Sequence, residues 1–303
     1  MKKILLIVLV WVSLNGMDYK LKPVMINDDI WQFVGINEPV TKNNGGNIAN
    51  TYWVKTNNHW VVFESGCTYE YAKQAHSLMK QIFDVPVKMV INSHLHDDHW
   101  MGNSYYKELN IPIYATKAQV TEYKVGGKSR ILNILNKKDL VGTKIVSIDN
   151  IMENDFSINV DNTIFKFIKI PTPAHVSEDY MLYLPKEKVL FTGDLLMSER
   201  LTSIRHGSIE GNLKAIEQIE KINPKVYANG HGVYTDKKGL NLTKEYLTDL
   251  KNSALLAIED DIDLDDYVKN TKLEKYKNYA LYKVAHKENL MSAFNEYEFF
   301  GEE

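Results

Sequence analysis

The sequence predicts an α/β protein in which helices cover the faces of mixed sheets. Short runs of β-branched and aromatic residues alternate with helix-period segments along most of the chain. Four well-separated apolar strands each lead into a His or Asp of metal-ligating type. The length, 303 residues of which 44% are hydrophobic, allows a large core and one main domain with an appendage.

Residues 1 to 16, MKKILLIVLVWVSLNG, read as a secretory signal: two lysines, then an apolar run from Ile4 to Leu14 that is short for a bilayer span. The possible cleavage site after Gly16 is poor because Leu14 is not small, and no Cys follows it to carry a lipid. The expectation is an exported, periplasmic protein whose only membrane insertion would be an uncleaved signal. From Val24 to Gly66 strands and tight turns follow one another (VMIN, IWQFVGI, NTYWVKT, WVVFES), with DD and NNH marking reversals. Cys67, the single cysteine, rules out an internal disulfide; it reads as a small, partly buried side chain on a loop after a strand.

Glu70 to Phe83 has an amphipathic helical period, and Val87 to Asn92 returns to strand. Then comes INSHLHDDHWMG, with His94, His96, Asp98 and His99 inside six residues, three of the nine histidines in the chain. On an extended segment His94 and His96 point to the same side and can grip one cation, while Asp98 and His99 lie past a bend and can face another. A helix, the strand IPIYA and a long helical stretch from Lys117 to Lys137 are expected next, then strands around Ile145, Ile158, Phe165, Met181 and Val189. His175 follows IFKFIKI through two prolines that cannot continue a ladder. Asp194 closes the apolar run VLFTGDLL, where a buried carboxylate needs a cation or hydrogen bonds. His231 follows KVYANG between Gly230 and Gly232, which let the backbone turn close to a metal centre. Asp97 and Glu178, beside these residues, are candidate partners for ring N–H groups. Gly239 to Glu303 is mostly helical and charged, without a ligand-like cluster, and reads as a packing appendage.

Taken in order, HLHDDH, His175, Asp194 and His231 resemble the motifs of the metallo-β-lactamase superfamily, over about Val24 to Tyr234. The resemblance implies a four-layer αββα sandwich over residues 17–238 with a C-terminal helical extension over 239–303. It implies that His94, His96 and His175 bind one metal, that Asp98, His99 and His231 bind a second, and that Asp194 bridges both. Two divalent ions, by default Zn²⁺ with Fe or Mn tolerated by the oxygen-rich bridge, would lower the pKa of a bound water from 15.7 toward ~7. The resulting hydroxide, oriented by Asp98, would attack an ester, thioester, lactone or amide carbonyl. More narrowly, DDHWMGN, TPAHVSEDYMLYLP, INPKVYANGHG and the tail ENLMSAFNEYE look like exported quinoprotein-relay or glyoxalase-II-like zinc metallohydrolases.

The partner so implied is a small molecule. Net charge is −3, from 36 basic and 39 acidic residues with no basic block, which argues against nucleic acid and so against the nucleases of this superfamily. An alternative is a mononuclear-iron persulfide dioxygenase, disfavoured because both His99 and His231 are present. A β-lactamase is the other. In broad-spectrum β-lactamases of the superfamily a Cys stands at the position of Asp194, and a Lys three residues on binds the antibiotic's carboxylate. Here that third residue is Met197, so only Arg200 or Arg205 could supply the charge. Arg205 and His206, on the loop after Asp194, are candidate substrate-binding residues.

Overall fold

A computed structural model of the chain describes residues 16–124 and 128–300. The signal-like segment 1–16 lies, but for Gly16, outside the described residues. The strands are β1 (Val24–Asn27), β2 (Ile30–Phe33), β3 (Thr51–Lys55), β4 (Trp60–Phe63), β5 (Val87–Ile91), β6 (Ile113–Thr116), β7 (Asn150–Met152), β8 (Phe156–Val160), β9 (Thr163–Lys169), β10 (Tyr180–Leu184), β11 (Val189–Met197) and β12 (Val226–His231). The helices are α1 (Tyr69–Ile82), α2 (Asp97–Trp100), α3 (Asn103–Glu108), α4 (Lys117–Lys124), α5 (Arg130–Ile134), α6 (Ile209–Ile222), α7 (Lys237–Glu259), α8 (Leu264–Asn270) and α9 (Tyr282–Phe300).

Strands β1 to β7 form one sheet in sequence order, antiparallel through β4 and parallel from there on. The second sheet runs β12-β11-β10-β9-β8, with only β11 and β12 parallel. Alternation along the strands assigns their faces. On β4, Val61 and Phe63 join Tyr52, Phe167, Leu182 and Phe191 in a cluster between the two sheets, while Trp60 and Val62 face outward. The outward face meets Ala72, Ala75 and Met79 of α1. On the far side Leu190, Leu196 and Tyr227 meet Ile216 and Ile219 of α6, Leu247 and Leu250 of α7, and Leu290 and Phe294 of α9. Three apolar seams thus separate helix, sheet, sheet and helix, a four-layer αββα sandwich with C-terminal helices, as the resemblance implies.

Local signals set the helix ends. Thr68 caps α1 by accepting from the Tyr71 N–H, and Ser208 caps α6 through the Gly211 N–H. Asn223, at φ 48°, ends α6 in the left-handed conformation. Two expectations need correction. The helical stretch from Lys117 to Lys137 is broken: Ser129 accepts from the Leu132 N–H and caps a new helix, α5, and a 3₁₀ turn follows at Lys137–Leu140. No strand forms at Ile145, which is 44% exposed; the edge strand starts only at Asn150, where Tyr114 offers a pairing partner. No helix among the described residues is long and apolar enough to cross a membrane.

Candidate metal centre

All seven histidine and aspartate positions named above converge at one end of the two sheets. His94 and His96 leave the end of β5, and Asp98 and His99 sit on the single turn of α2. His175 lies on the loop after β9, and His231 is the last residue of β12. Asp194 lies inside β11, which runs three residues further, to Met197, than the expected strand end. It is turned toward the cluster by a register shift at Gly193. Gly193 has φ +51°, and a Cβ there would lie 2.5 Å from the Ser93 hydroxyl. A Cβ on Gly230 would lie 1.9 Å from Asp194 Oδ1, so the glycine before His231 leaves the space that the carboxylate fills.

The side chains sort into two sets. His94 Nε2 and His175 Nε2 lie 3.1 and 3.0 Å from His96 Nδ1, and His175 Nε2 is 3.3 Å from Asp194 Oδ2. Beside them, His99 Nε2 is 3.2 Å from Asp194 Oδ1, and His231 Nε2 is 3.2 Å from Asp194 Oδ2. Both rings lie 3.7 Å from Asp98 Oδ2. Ligands around one tetrahedral zinc stand about 3.3 Å apart, the spacing these atoms already have. Among the described residues His99 Nε2 and Asp194 Oδ1 are buried without a hydrogen-bond partner, and a cation between them would satisfy both. The clusters are suited to binding metal ions.

Charge balance supports this. Burial first, then neighbouring imidazoles, hold His94 and His96 well below the usual histidine range, in the neutral form a metal needs. Burial alone would raise Asp98 and Asp194. Arg130 with His99 and His231 overcomes it at Asp98, and His231, His99 and His175 overcome it at Asp194, so both stay ionised.

The ring nitrogens that face away from the cluster are held, though not by the residues expected. His94 Nδ1 is 2.8 Å from Ser93 Oγ, His175 Nδ1 donates to Ser203 O at 3.0 Å, and His96 Nε2 is 2.9 Å from His206 Nδ1. Glu64 Oε1 lies 3.6 Å from His99 Nδ1. His231 Nδ1 is 2.6 Å from Ile48 O and 3.1 Å from an Arg200 nitrogen. A ring N–H can serve the carbonyl but cannot accept from Arg200 as well, and the shorter contact leaves Nε2 free to face the cluster. Asp97 and Glu178 hold no ring. Asp97 accepts from the Ser129 hydroxyl, the Ile131 N–H and Arg130, because it faces the start of α5; Glu178 accepts from the Ala118 N–H. Cys67 is wholly buried, and burial pushes its thiol up to about 12.

A cleft of about 240 Å³ opens over the cluster. Arg205 lines it, 3.9 Å from Glu288. His206, expected to touch substrate, instead backs His96. Partial burial, then Arg205, push it down to about 4, so its ring is neutral and Nδ1 can accept. Reading the sequence missed Arg130, which bonds Asp98 Oδ1 and Asp97 and lines the same cleft. The signal was scarcity: the chain has three arginines among 36 basic residues, and Arg130, Arg200 and Arg205 all line this cleft. The C-terminal segment, expected only to pack, supplies part of its wall through Leu281 and, on α9, Val284, Ala285 and Glu288.

A family model for the metallo-β-lactamase superfamily matches residues 44–231. A β-lactamase-like protein 2 homolog from Caenorhabditis elegans is 23% identical over 196 residues, which span 62% of this chain and 57% of that protein's length. Among solved structures, a metallo-β-lactamase from Pontibacter korlensis superposes with a TM-score of 0.61 at 18% identity, covering 75% of this chain and 99% of its own. The DIM-1 metallo-β-lactamase does so with a TM-score of 0.59 at 15% identity, covering 75% and 97%.

Proposed function

Because the chain belongs to the metallo-β-lactamase superfamily, we propose that it is a two-metal hydrolase acting on a small ester, thioester, lactone or amide that carries a negative charge. The observation that carries this is Asp194: its carboxylate lies between the two sets, 3.3 Å from His175 of the first and 3.2 Å from both His99 and His231 of the second, the arrangement of a carboxylate shared between two cations. Two such ions, zinc by preference for this nitrogen-rich donor set, would supply a nucleophilic water at neutral pH and polarise the carbonyl under attack. His94, His96, His175 and Asp194 would hold one, and Asp98, His99, His231 and Asp194 the other.

The chain's own residues supply the rest. Arg130 holds Asp98 Oδ1, which leaves Oδ2 turned to the cluster, where it can orient the attacking water and take up its proton. Arg200 is 8% exposed, its Nε has no hydrogen-bond partner, and no carboxylate lies within 4.0 Å of it among the described residues. A buried guanidinium left so is costly, and an anionic group on the substrate would complete it. Val284 and Ala285 of α9, with Pro39, Val40, Ile134 and Met197, give the cleft apolar walls that favour a substrate with a hydrophobic body.

Elemental analysis of protein purified without chelator, combined with a panel of thioesters, lactones and aryl esters, tests the proposal. Close to two equivalents of metal and hydrolysis of a panel member are expected. One equivalent of iron with oxygen consumption on persulfides would favour a dioxygenase instead. β-Lactam hydrolysis is the second reading, favoured by the presence of Arg200 in the cleft. Met197 lines the cleft at the place where the broad-spectrum enzymes carry lysine, which argues for esters ahead of β-lactams. A kcat/KM for a chromogenic cephalosporin more than about tenfold above the best ester, the energy of one charged contact, would reverse that order. Export from the cytoplasm is part of the same proposal, supported by the signal-like pattern of the first 16 residues.

A further inference from the structure

Between β11 and α6 the chain has almost no regular structure, yet this loop supports the cluster from outside. Its Ser203 carbonyl accepts from His175 Nδ1 at 3.0 Å, its His206 lies 2.9 Å from His96 Nε2, and its Arg200 packs on His231. Three of the five histidines of the cluster therefore rest on one irregular segment. A bridge to Ala280 ties Glu199 and Leu201 at its start and Ser208 bonds Ala174 O at its end, but the stretch from Thr202 to His206 lies in neither a ladder nor a helix, so its hold must come from elsewhere.

That hold comes from the C-terminal helix. Asn289, wholly buried in α9, accepts from the Ile204 N–H at 3.1 Å and donates to Thr202 O at 2.8 Å, bracketing Ser203 from both sides. Its amide also donates to the Tyr246 hydroxyl at 3.0 Å, which ties the bracket to α7. Further along α9, Glu296 accepts from the Ile209 and Glu210 N–H groups and anchors the loop's far end. An Asn buried 85 residues from its partner and satisfied at both ends of its amide is not filling space; an apolar residue would do that without the desolvation cost.

We propose that Asn289 is a positioning residue for the metal cluster: by locking Thr202 to Ile204 it fixes Ser203 and His206, and through them the rings of His175 and His96. The C-terminal helix is then part of the metal site's support, seated more than fifty residues after the last ligand in the chain. The inference rests on the metal-cluster reading.

The test compares Asn289→Ala with Phe294→Ala, a neighbouring α9 substitution in the same apolar seam whose ring packs on Tyr267 and can make no hydrogen bond to the loop. Zinc affinity is read by competition with a fluorescent chelator, and ligand geometry by the visible absorption of the cobalt(II)-loaded protein. Asn289→Ala should weaken zinc binding about tenfold or more and alter the cobalt bands, while Phe294→Ala lowers the melting temperature and changes neither. Should Asn289→Ala fail to fold by circular dichroism, Asn289→Asp keeps an acceptor for Ile204, loses both donor bonds and carries the same expectation. Unchanged zinc affinity and cobalt bands in the folded Asn289 variant would overturn the proposal. So would an equal loss in Phe294→Ala. A wild-type chain that binds no zinc would overturn the metal-cluster reading itself, and this inference with it.

Discussion

Arg130 and Asp98 meet across α5 and α2 so that one carboxylate oxygen is taken by the guanidinium and the other is left facing His99 and His231. The same guanidinium reaches Asp97 Oδ1 at 3.0 Å, so one partly exposed cation serves two adjacent buried carboxylates. Breaking a buried pair from one side costs ~3–5 kcal/mol, and the low end applies because Arg130 keeps 39% of its side chain in water. Arg130→Met should therefore destabilise the metal-free protein by about 3 kcal/mol in urea unfolding at pH 7. A loss below about 1 kcal/mol would make the pair a surface contact in energetic terms.

Asp194→Asn should spare the fold and cripple the site. The amide keeps the shape of the carboxylate inside β11 but removes the charge shared by the two sets of ligands. Far-UV circular dichroism should match wild type, the second equivalent of zinc should be lost on dialysis, and hydrolysis should fall by orders of magnitude. Activity within a few-fold of wild type would remove Asp194 from the site.

Substrate charge should matter through Arg200. Replacing it with Met keeps the length and removes the cation, at a loss of ~1.5–3 kcal/mol for a charge-assisted contact, or roughly ten- to a hundredfold. The ratio of kcat/KM for a carboxylate-bearing ester over its neutral methyl ester should drop by that factor. A drop seen with Arg205→Met and not with Arg200→Met would move the anion to the rim of the cleft.

Cys67 gives a pH signature. Its thiol is pushed up to about 12 by burial, so the folded protein should resist thiol reagents at pH 8 and react only at the rate at which it unfolds. The unfolded chain loses this proton near pH 8.5–9 while the folded chain keeps it, so stability is undiminished below that range and declines as pH rises through it. Each unit up to about 12 costs about 1.4 kcal/mol from this group. Prompt labelling at pH 8 without unfolding would mean that the loop after β4 opens locally.

The ligand set was legible in the sequence because its geometry is local. His94 and His96 share a side by strand alternation, and Asp98 and His99 follow on the next helical turn. His175 and His231 likewise announce themselves by the apolar strands before them. What holds those ligands was not legible, since each support comes from far along the chain. Ile48 O reaches His231 across 183 residues and Arg130 reaches Asp98 across 32. Asn289 reaches the loop from a helix that reads as ordinary packing. The expected strand at Ile145 failed for the opposite reason: a β-like local pattern on a segment that the fold leaves exposed.

The buried polar seam behind the site bears on how the chain reaches its final state. Gln32 donates to Gly232 O across 200 residues, and Asn50 and Tyr52 reach Asn229 O across 179 and 177. These bonds join the first sheet to the last strand of the second, the strand that presents His231. Contacts so distant in sequence close late during folding, after most of the chain-closure entropy has been spent. A chain refolding from urea should therefore gain most of its secondary structure before it can capture its second metal ion. Adding zinc early in refolding should leave the first kinetic phase unchanged and slow the reverse reaction, unfolding, since only the completed chain offers the full set of ligands.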